Sequence, residues 1–353
     1  MHDFSARLLD WFAHNGRSLP WRGTRDAYAI WLSEVILQQT QVSQGRDYWT
    51  RFVTRWPTVG DLAQASEDEV LRMWQGLGYY SRARHLHQAA RQVVAMGGFP
   101  TTVEGLRGLK GVGPYTAAAV ASMAFGVSAA VVDGNVYRVL ARHFGISTPI
   151  NSAEGQHEFQ SLARLLLPEG RAADFNQAIM DFGATQCVPR SPQCAACPVM
   201  LSCVAFREGR VGQLPVKLKT TKVKQRHLAY VYMRCNGQTA LRRRGAGDIW
   251  QGLWEPVLVE RGARSEERGG LSVELGERME LRDGCGKVVD GVLTLLRSGV
   301  KHILTHRVLT ADFYLFETEV RPELPPGYQW IDEERRDDYA VPRLVELLFE
   351  ALP

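Results

Sequence analysis

The chain has 353 residues, 45% of them hydrophobic and 23% charged. That is enough for two domains at roughly 150 residues each, and too apolar for a disordered chain. Six cysteines are too few for a disulfide scaffold, and no charged-then-apolar leader opens the sequence, so an intracellular protein is expected. Residues 1–230 carry 25 Lys and Arg against 17 Asp and Glu, whereas residues 231–353 carry 17 against 21. A basic first half suits either a polyanion partner or simply a basic surface.

The first half reads as helices. Phe4 to His14 sets Leu8, Leu9 and Phe12 at helical spacing. Ala29 to Gln38 is apolar except for polar Ser33 and Gln38 and one acid, Glu34. Burial raises a carboxyl pKa and suits such a group to general-acid work, or the acid is structural and pairs with Arg17 or Arg22. Ser66 to Glu69 spells a capping box before Val70, Leu71 and Trp74, and Thr101 to Glu104 spells a second. Gly76-Leu77-Gly78 makes a turn before Tyr79 and Tyr80, of which Tyr80 is the candidate for core packing.

Leu109 to Thr116, LKGVGPYT, reads as helix, tight turn, helix. Gly111 and Gly113 admit backbone conformations closed to other residues, and Pro114 suits a first helical position. Amides at the start of the second helix would face an anion without reading sequence, although an ordinary helix–helix turn is written the same way. Gly111 to Val132 lacks any charge, but Pro114, Gly126 and many alanines mark a buried helix between turns rather than a membrane span. Asp133, in VVDGNVYR, stands where a helix N-cap would.

Cys187, Cys194, Cys197 and Cys203 follow with C-x6-C-x2-C-x5-C spacing. Four thiolates suit a soft metal centre, zinc or an iron–sulfur cubane; one close pair with single outliers departs from the usual zinc pattern, and free thiols are the alternative. Cys235 and Cys285 are isolated and receive no role. A basic linker, Leu214 to Arg226, marks a boundary, so the expected domains are 1–213, with the cysteine loop at 187–203, and 227–353, joined by 214–226. Beyond it, Ala229–Cys235 and Val308–Phe316 read as strands, and Asp290–Leu296 and Pro342–Leu352 as helices, giving a small α+β domain.

The cysteine run and glycine hairpin together resemble the helix-hairpin-helix DNA glycosylases of the endonuclease III superfamily. The stretch from Glu34 to Val42, EVILQQTQV, is similar to the signature of MutY-type adenine DNA glycosylases. The resemblance implies a mainly α catalytic domain whose four cysteines hold a 4Fe–4S cluster that supports DNA binding and does no base chemistry. It implies that Lys110, Gly111 and Gly113 meet phosphate, that Gln39 reaches base edges, and that Tyr79 wedges beside the base opposite a flipped nucleotide. Glu34 would protonate adenine N7 and then help activate water. Asp133 would stabilise, or transiently bond, the sugar cation, with Tyr115 and Asn135 orienting the site. Glycosidic hydrolysis needs such a pair, one acid for the leaving group and one anion for the sugar. Tyr115 occupies the position of a lysine in strand-cutting members; a phenol forms no Schiff base, so a monofunctional enzyme is expected. Asp181, in Met180 to Gly183, matches an acidic position whose type varies in the family.

The second half looks like the Nudix-like C-terminal domain of the same family. Trp250 to Glu255 is similar to the Nudix G-L-W-E turn, but Leu258 occupies the first glutamate position of the metal-binding box and no R-E-x-x-E-E follows. The domain is therefore expected to read rather than hydrolyse. Lys301 to His306 resembles the family's F-S-H recognition loop, with Thr305 keeping the hydroxyl, His306 the imidazole, and Leu304 in place of phenylalanine; Pro256-Val257 replaces the family's phenylalanine-proline. A hydroxyl can accept from the N7–H that 8-oxoguanine has and guanine lacks. The expectation is removal of adenine mispaired with 8-oxoguanine or guanine in double-stranded DNA, by a cytoplasmic, nucleoid-associated monomer without a membrane partner. A thymine or uracil mismatch glycosylase and a non-catalytic lesion binder are the competing readings.

Overall fold

The computed structural model describes residues 1–218, 223–260, 272–275, 279–282 and 288–353; Cys285 lies outside them. Two compact units divide the chain, Met1–Gln64 with His85–Thr220, and Ala65–Arg84 with Thr221–Pro353. The helices are α1 (Asp3–Asn15), α2 (Ala27–Ile36), α3 (Val42–Arg55), α4 (Val59–Gln64), α5 (Glu67–Trp74), α6 (Ser81–Ala95), α7 (Val103–Arg107), α8 (Pro114–Phe125), α9 (Gly134–Phe144), α10 (Ala153–Leu166), α11 (Ala172–Thr185) and α12 (Val204–Arg207). Among the described residues, no helix is long and apolar enough to cross a membrane.

In the first unit, α2 is apolar all round and buried all round, from Tyr28 to Ile36. Asp26 starts it by accepting from the Tyr28 and Ala29 amides at 3.0 and 3.3 Å. Helix α8 lies against α2, and its Ala117, Ala119 and Ala121 are fully shielded. Gly113 caps α8 and Pro114 is its first residue, as the sequence predicts. Of the two hairpin glycines only Gly111 is left-handed, at φ +75°, and a Cβ there would lie 2.6 Å from the His85 Cβ. Thr102, not Thr101, caps α7 by accepting from the Gly105 amide, and because that third position is a glycine the expected second capping box does not form. Phe159, Phe175 and Phe182 fill the core among α1, α9, α10 and α11, each worth roughly 1.5–3 kcal/mol of burial. The start of the basic linker is docked on the helical unit: Leu214 is buried, and Val216 and Leu218 bond to Ile150 and Asn151.

In the second unit, Ser66 and Glu69 complete the predicted reciprocal capping box on α5. The strands are β1 (Lys224–Cys235), β2 (Gln238–Arg243), β3 (Trp254–Glu255), β4 (Val257–Glu260), β5 (Ser272–Leu275), β6 (Met279–Arg282), β7 (Val292–Leu304), β8 (Arg307–Glu317) and β9 (Tyr328–Asp332), followed by α13 (Arg343–Phe349). Seven of them form one sheet, β3-β2-β1-β8-β7, with β4 also on β1 and β9 on β2, while β5 and β6 pair separately. β1 and β8 are parallel, from Lys224 opposite Arg307 to Arg234 opposite Glu317. Alternate residues serve two cores. Tyr230, Tyr232, Phe313 and Leu315 pack with Leu344 and Leu348 of α13, and Val231, Met233, Tyr314 and Phe316 pack on the other face. Burial on both faces is why β1 reads as a continuous apolar run.

One element is corrected. Asp290–Leu296 is not a helix: β7 begins at Val292, and Val292 to Leu295 pair with Glu317 to Tyr314 of β8. Its apolar spacing fits either element, and the long-range ladder decides. The same hairpin closes with Leu304 opposite Arg307, leaving Thr305 and His306 as a two-residue exposed turn.

Candidate active site

One cleft in the helical unit gathers Glu34, Gln39, Tyr115, Asp133 and Asn135. Its volume, about 350 Å³, falls in the range of small-molecule sites, roughly 300–1,000 Å³. Glu34 projects from the last turns of α2 and is 8% exposed. Burial raises its pKa to about 7; a hydrogen bond from the Tyr115 hydroxyl opposes the rise, the Asp133 carboxylate adds to it, and the Arg22 charge opposes it. The Tyr115 oxygen also lies 3.4 Å from Met180 Sδ, and burial pushes the Tyr115 phenol well above its ordinary value.

Asp133 is an N-cap and a cleft residue at once. It caps α9 by accepting from the Val136 amide at 2.7 Å, and its other oxygen accepts from Asn135 Nδ2 at 2.8 Å. Burial pushes its carboxyl upward, and those bonds with the Arg138 charge hold the rise back. Asn135 is itself fixed, since its Oδ1 accepts from Arg138 Nη2 at 2.8 Å. Gly183 permits this packing, because a Cβ there would sit 2.7 Å from the Asn135 Cβ. The two carboxyls thus occupy different environments, one in an apolar helix and one in a cradle of donors.

The sequence offers Arg17 and Arg22 as partners for Glu34. The structure gives both to Asp181 instead. Asp181 is fully buried and accepts from the Arg17 amide and Nε at 2.9 Å each, and from Arg22 Nη1 at 2.6 Å and Nη2 at 2.5 Å. Burial alone would raise the Asp181 pKa, but the bonds from Arg22 and Arg17 carry it below the usual carboxylate value. Arg17, Arg22, Gln177 and Met180 also line the cleft. Gln177 carries no local sequence signal, and Asp181 reaches Arg17 only because the fold spans 164 residues.

Gln39 apart, the remaining predicted residues lie outside the cleft. Gln39 is at the rim, exposed and left-handed at φ +57°. Lys110, Gly111 and Gly113 are exposed on the hairpin, with the Lys110 amide donating to Gln92 Oε1 at 2.7 Å. In the second unit Tyr79 is 46% exposed and left-handed at φ +47°, while Tyr80 is buried as expected. The Tyr79 hydroxyl hydrogen-bonds the Thr305 hydroxyl, joining the expected wedge to the expected reader. Arg82 lies over Trp74 and Tyr79 and points at the Leu77 and Gly78 carbonyls.

Cys187, Cys194, Cys197 and Cys203 are unbridged, half-buried and line one cavity with Met200, Phe206 and Val211. Among the described residues, no three metal-ligating groups are placed to hold a single ion. Two arginines of α9 brace the loop. Arg138 Nε donates to the Cys187 carbonyl at 2.8 Å, and Arg142 donates to Val188 and Pro189 at 2.8 and 3.0 Å. An all-sulfur donor set around one cavity fits an iron–sulfur centre.

Residues 32–164 match the HhH-GPD superfamily base excision DNA repair protein family, and residues 229–351 match the NUDIX domain family. The chain is 35% identical to the adenine DNA glycosylase of Mus musculus over 98% of its own length and 77% of that protein. It is 38% identical to the Arabidopsis thaliana adenine DNA glycosylase over 79% of this chain and 52% of that one. A thermostable thymine-DNA glycosylase superposes with TM-score 0.54 and 33% identity, over 58% of this chain and 95% of that chain. A trapped endonuclease III–DNA covalent intermediate superposes with TM-score 0.51 at 22% identity, over 58% of this chain and 94% of that chain, a likeness of fold alone. Fold and site define a DNA N-glycosylase, a hydrolase with a helix-hairpin-helix domain and a Nudix-like domain. Within that class, the chain belongs to the adenine DNA glycosylase family.

Proposed function

We propose that this protein removes adenine mispaired with 8-oxoguanine or guanine from double-stranded DNA, leaving an abasic site without cutting the strand. The observation that carries the reading is the pairing, in one cleft, of a buried acid with pKa raised to about 7 and a donor-cradled aspartate. Protonated Glu34 gives its proton to adenine N7, the bond between the sugar C1′ and adenine N9 breaks, and the base leaves. Asp133 faces the developing sugar cation, with Asn135 and the Val136 amide fixing its oxygens. Water then adds to C1′ and its proton returns to Glu34, so the acid is regenerated. Tyr115 offers no amine for a Schiff base, which supports monofunctional chemistry.

The four cysteines would hold a 4Fe–4S cluster, which when bound fixes the 187–203 loop and takes no part in base release. Residues 1–213 carry the chemistry, and the Nudix-like domain at 227–353 reads the opposite base through Thr305 and His306, with Tyr79 inserted beside it. The exposed Lys110 hairpin meets phosphate, and the protein works as a cytoplasmic monomer on nucleoid DNA.

Single-turnover release from a duplex with one adenine opposite 8-oxoguanine tests this, against adenine opposite thymine. The expected result is alkali-dependent breaks in the mispaired duplex alone. Breaks without alkali would overturn the monofunctional reading. Thymine release from a guanine mismatch, with adenine untouched, would replace the substrate.

A further inference from the structure

The mechanism leaves one buried ionic group unused, the Arg17–Asp181–Arg22 triad. Both guanidiniums line the cleft that holds Glu34, and the Asp181 carboxylate behind them is closed to water. Its two oxygens accept every bond that Arg17 and Arg22 are seen to make with a carboxylate. An unpaired cation within several ångströms of a carboxylic acid favours its ionised form, typically by about one to three pKa units. A general acid in this pocket therefore needs the two cations neutralised from another side.

We propose that Asp181 is a positioning residue for base release: it holds Arg17 and Arg22 by their charged ends and so keeps Glu34 in its proton-donating form. The titratable and charged groups that act on Glu34 are Tyr115 from α8, Asp133 at the start of α9 and Arg22 from the segment before α2; Arg17 lines the same cleft, and Asp181 on α11 is bonded to both arginines. Of the causes that act on Glu34, the Arg22 charge favours the ionised form and ranks behind burial, Tyr115 and Asp133. The inference rests on Glu34 being the acid of the proposed reaction.

The test is the pH profile of single-turnover adenine release from an adenine·8-oxoguanine duplex, for wild type, Asp181→Asn and Asp181→Glu. In Asp181→Asn the alkaline limb should move about one unit toward acid, so the rate falls roughly tenfold at pH 8 and stays near wild type at pH 5.5. Asp181→Glu, which keeps the anion, should restore the limb. A uniform loss at all pH values, or an unmoved limb in a folded variant, would show a purely structural role and overturn the proposal. Should Asp181→Asn not fold, the comparison is made on an Arg17→Gln background, where a single cation is stranded; an unmoved limb there overturns it equally. Glu34→Gln is measured beside them. If it still releases adenine, the assignment of Glu34 has failed, an outcome distinct from an unmoved limb in the Asp181 variants.

Discussion

Each unit buries a glutamate, and the two are treated in opposite ways. Glu255, in the Nudix-like Trp250 to Glu255 turn, is fully shielded and accepts from Arg242 Nε at 2.9 Å, from Arg244, and from the Tyr230 hydroxyl at 3.4 Å. Glu34 is almost as buried but has a phenol as its donor, and the two arginines that line its cleft are bonded to Asp181. The difference teaches that burial alone does not mark a catalytic acid. A buried carboxylate bonded by two guanidiniums is tied into the packing and serves the fold. One left with a neutral donor can exchange a proton near neutral pH. The same distinction separates the cleft of the helical unit from the Nudix-like turn, whose glutamate is braced by Arg242 and Arg244.

The largest effects should follow this division. Glu34→Gln should lower the base-release rate by about 10²–10⁴-fold, the usual value of a positioned acid, while leaving duplex binding by gel shift near wild type. Glu255→Gln should do the reverse. Removing one partner of a buried pair strands Arg244, itself 8% exposed, and should cost about 3–5 kcal/mol in urea unfolding. Equal stability losses in both variants would erase the contrast.

The contrast also has a sign in pH. Glu34 has a folded pKa of about 7 against 4.5 for the free side chain. Between those values the folded state holds a proton that the unfolded chain releases, so this group's contribution to stability declines as pH rises from about 4.5 to 7. The accumulated cost above pH 7 is about 3 kcal/mol. Glu34→Gln, which cannot ionise, should therefore be more stable than wild type at pH 8 and close to it at pH 4.5, by denaturant midpoint at each pH. A variant destabilised equally at both would show that Glu34 is not held neutral by its pocket.

These sites were unequally legible in the sequence. An apolar run broken by one acid pointed to Glu34 because α2 is buried on every side, so any polar residue in it stands out. Asp133 was legible only with a resemblance beside it, since a cap and a catalytic aspartate are written alike, and here one side chain does both. The partner of Arg17 and Arg22 was not legible: both are near Glu34 in sequence, and only the packing of α11 brings Asp181 to them. Asp290–Leu296 failed for a related reason. Its leucines fit a helical or a strand period, and the choice lies with β8, whose pairing no local pattern displays.

The smallest expected effect concerns the reader turn. Thr305 is exposed at the tip of the β7–β8 hairpin, and its hydroxyl hydrogen-bonds the Tyr79 hydroxyl. Thr305→Val keeps the branched shape and removes the hydroxyl. Both ends of the lost bond face water, so stability should hardly change. If that hydroxyl accepts from the N7–H of the oxidised base, the variant should lose about 0.5–1.5 kcal/mol of affinity for 8-oxoguanine·adenine duplexes and none for guanine·adenine duplexes. That is roughly a two- to tenfold loss of preference in competition binding. An equal loss on both duplexes would instead mean that Thr305 acts through Tyr79, holding the wedge rather than reading the base.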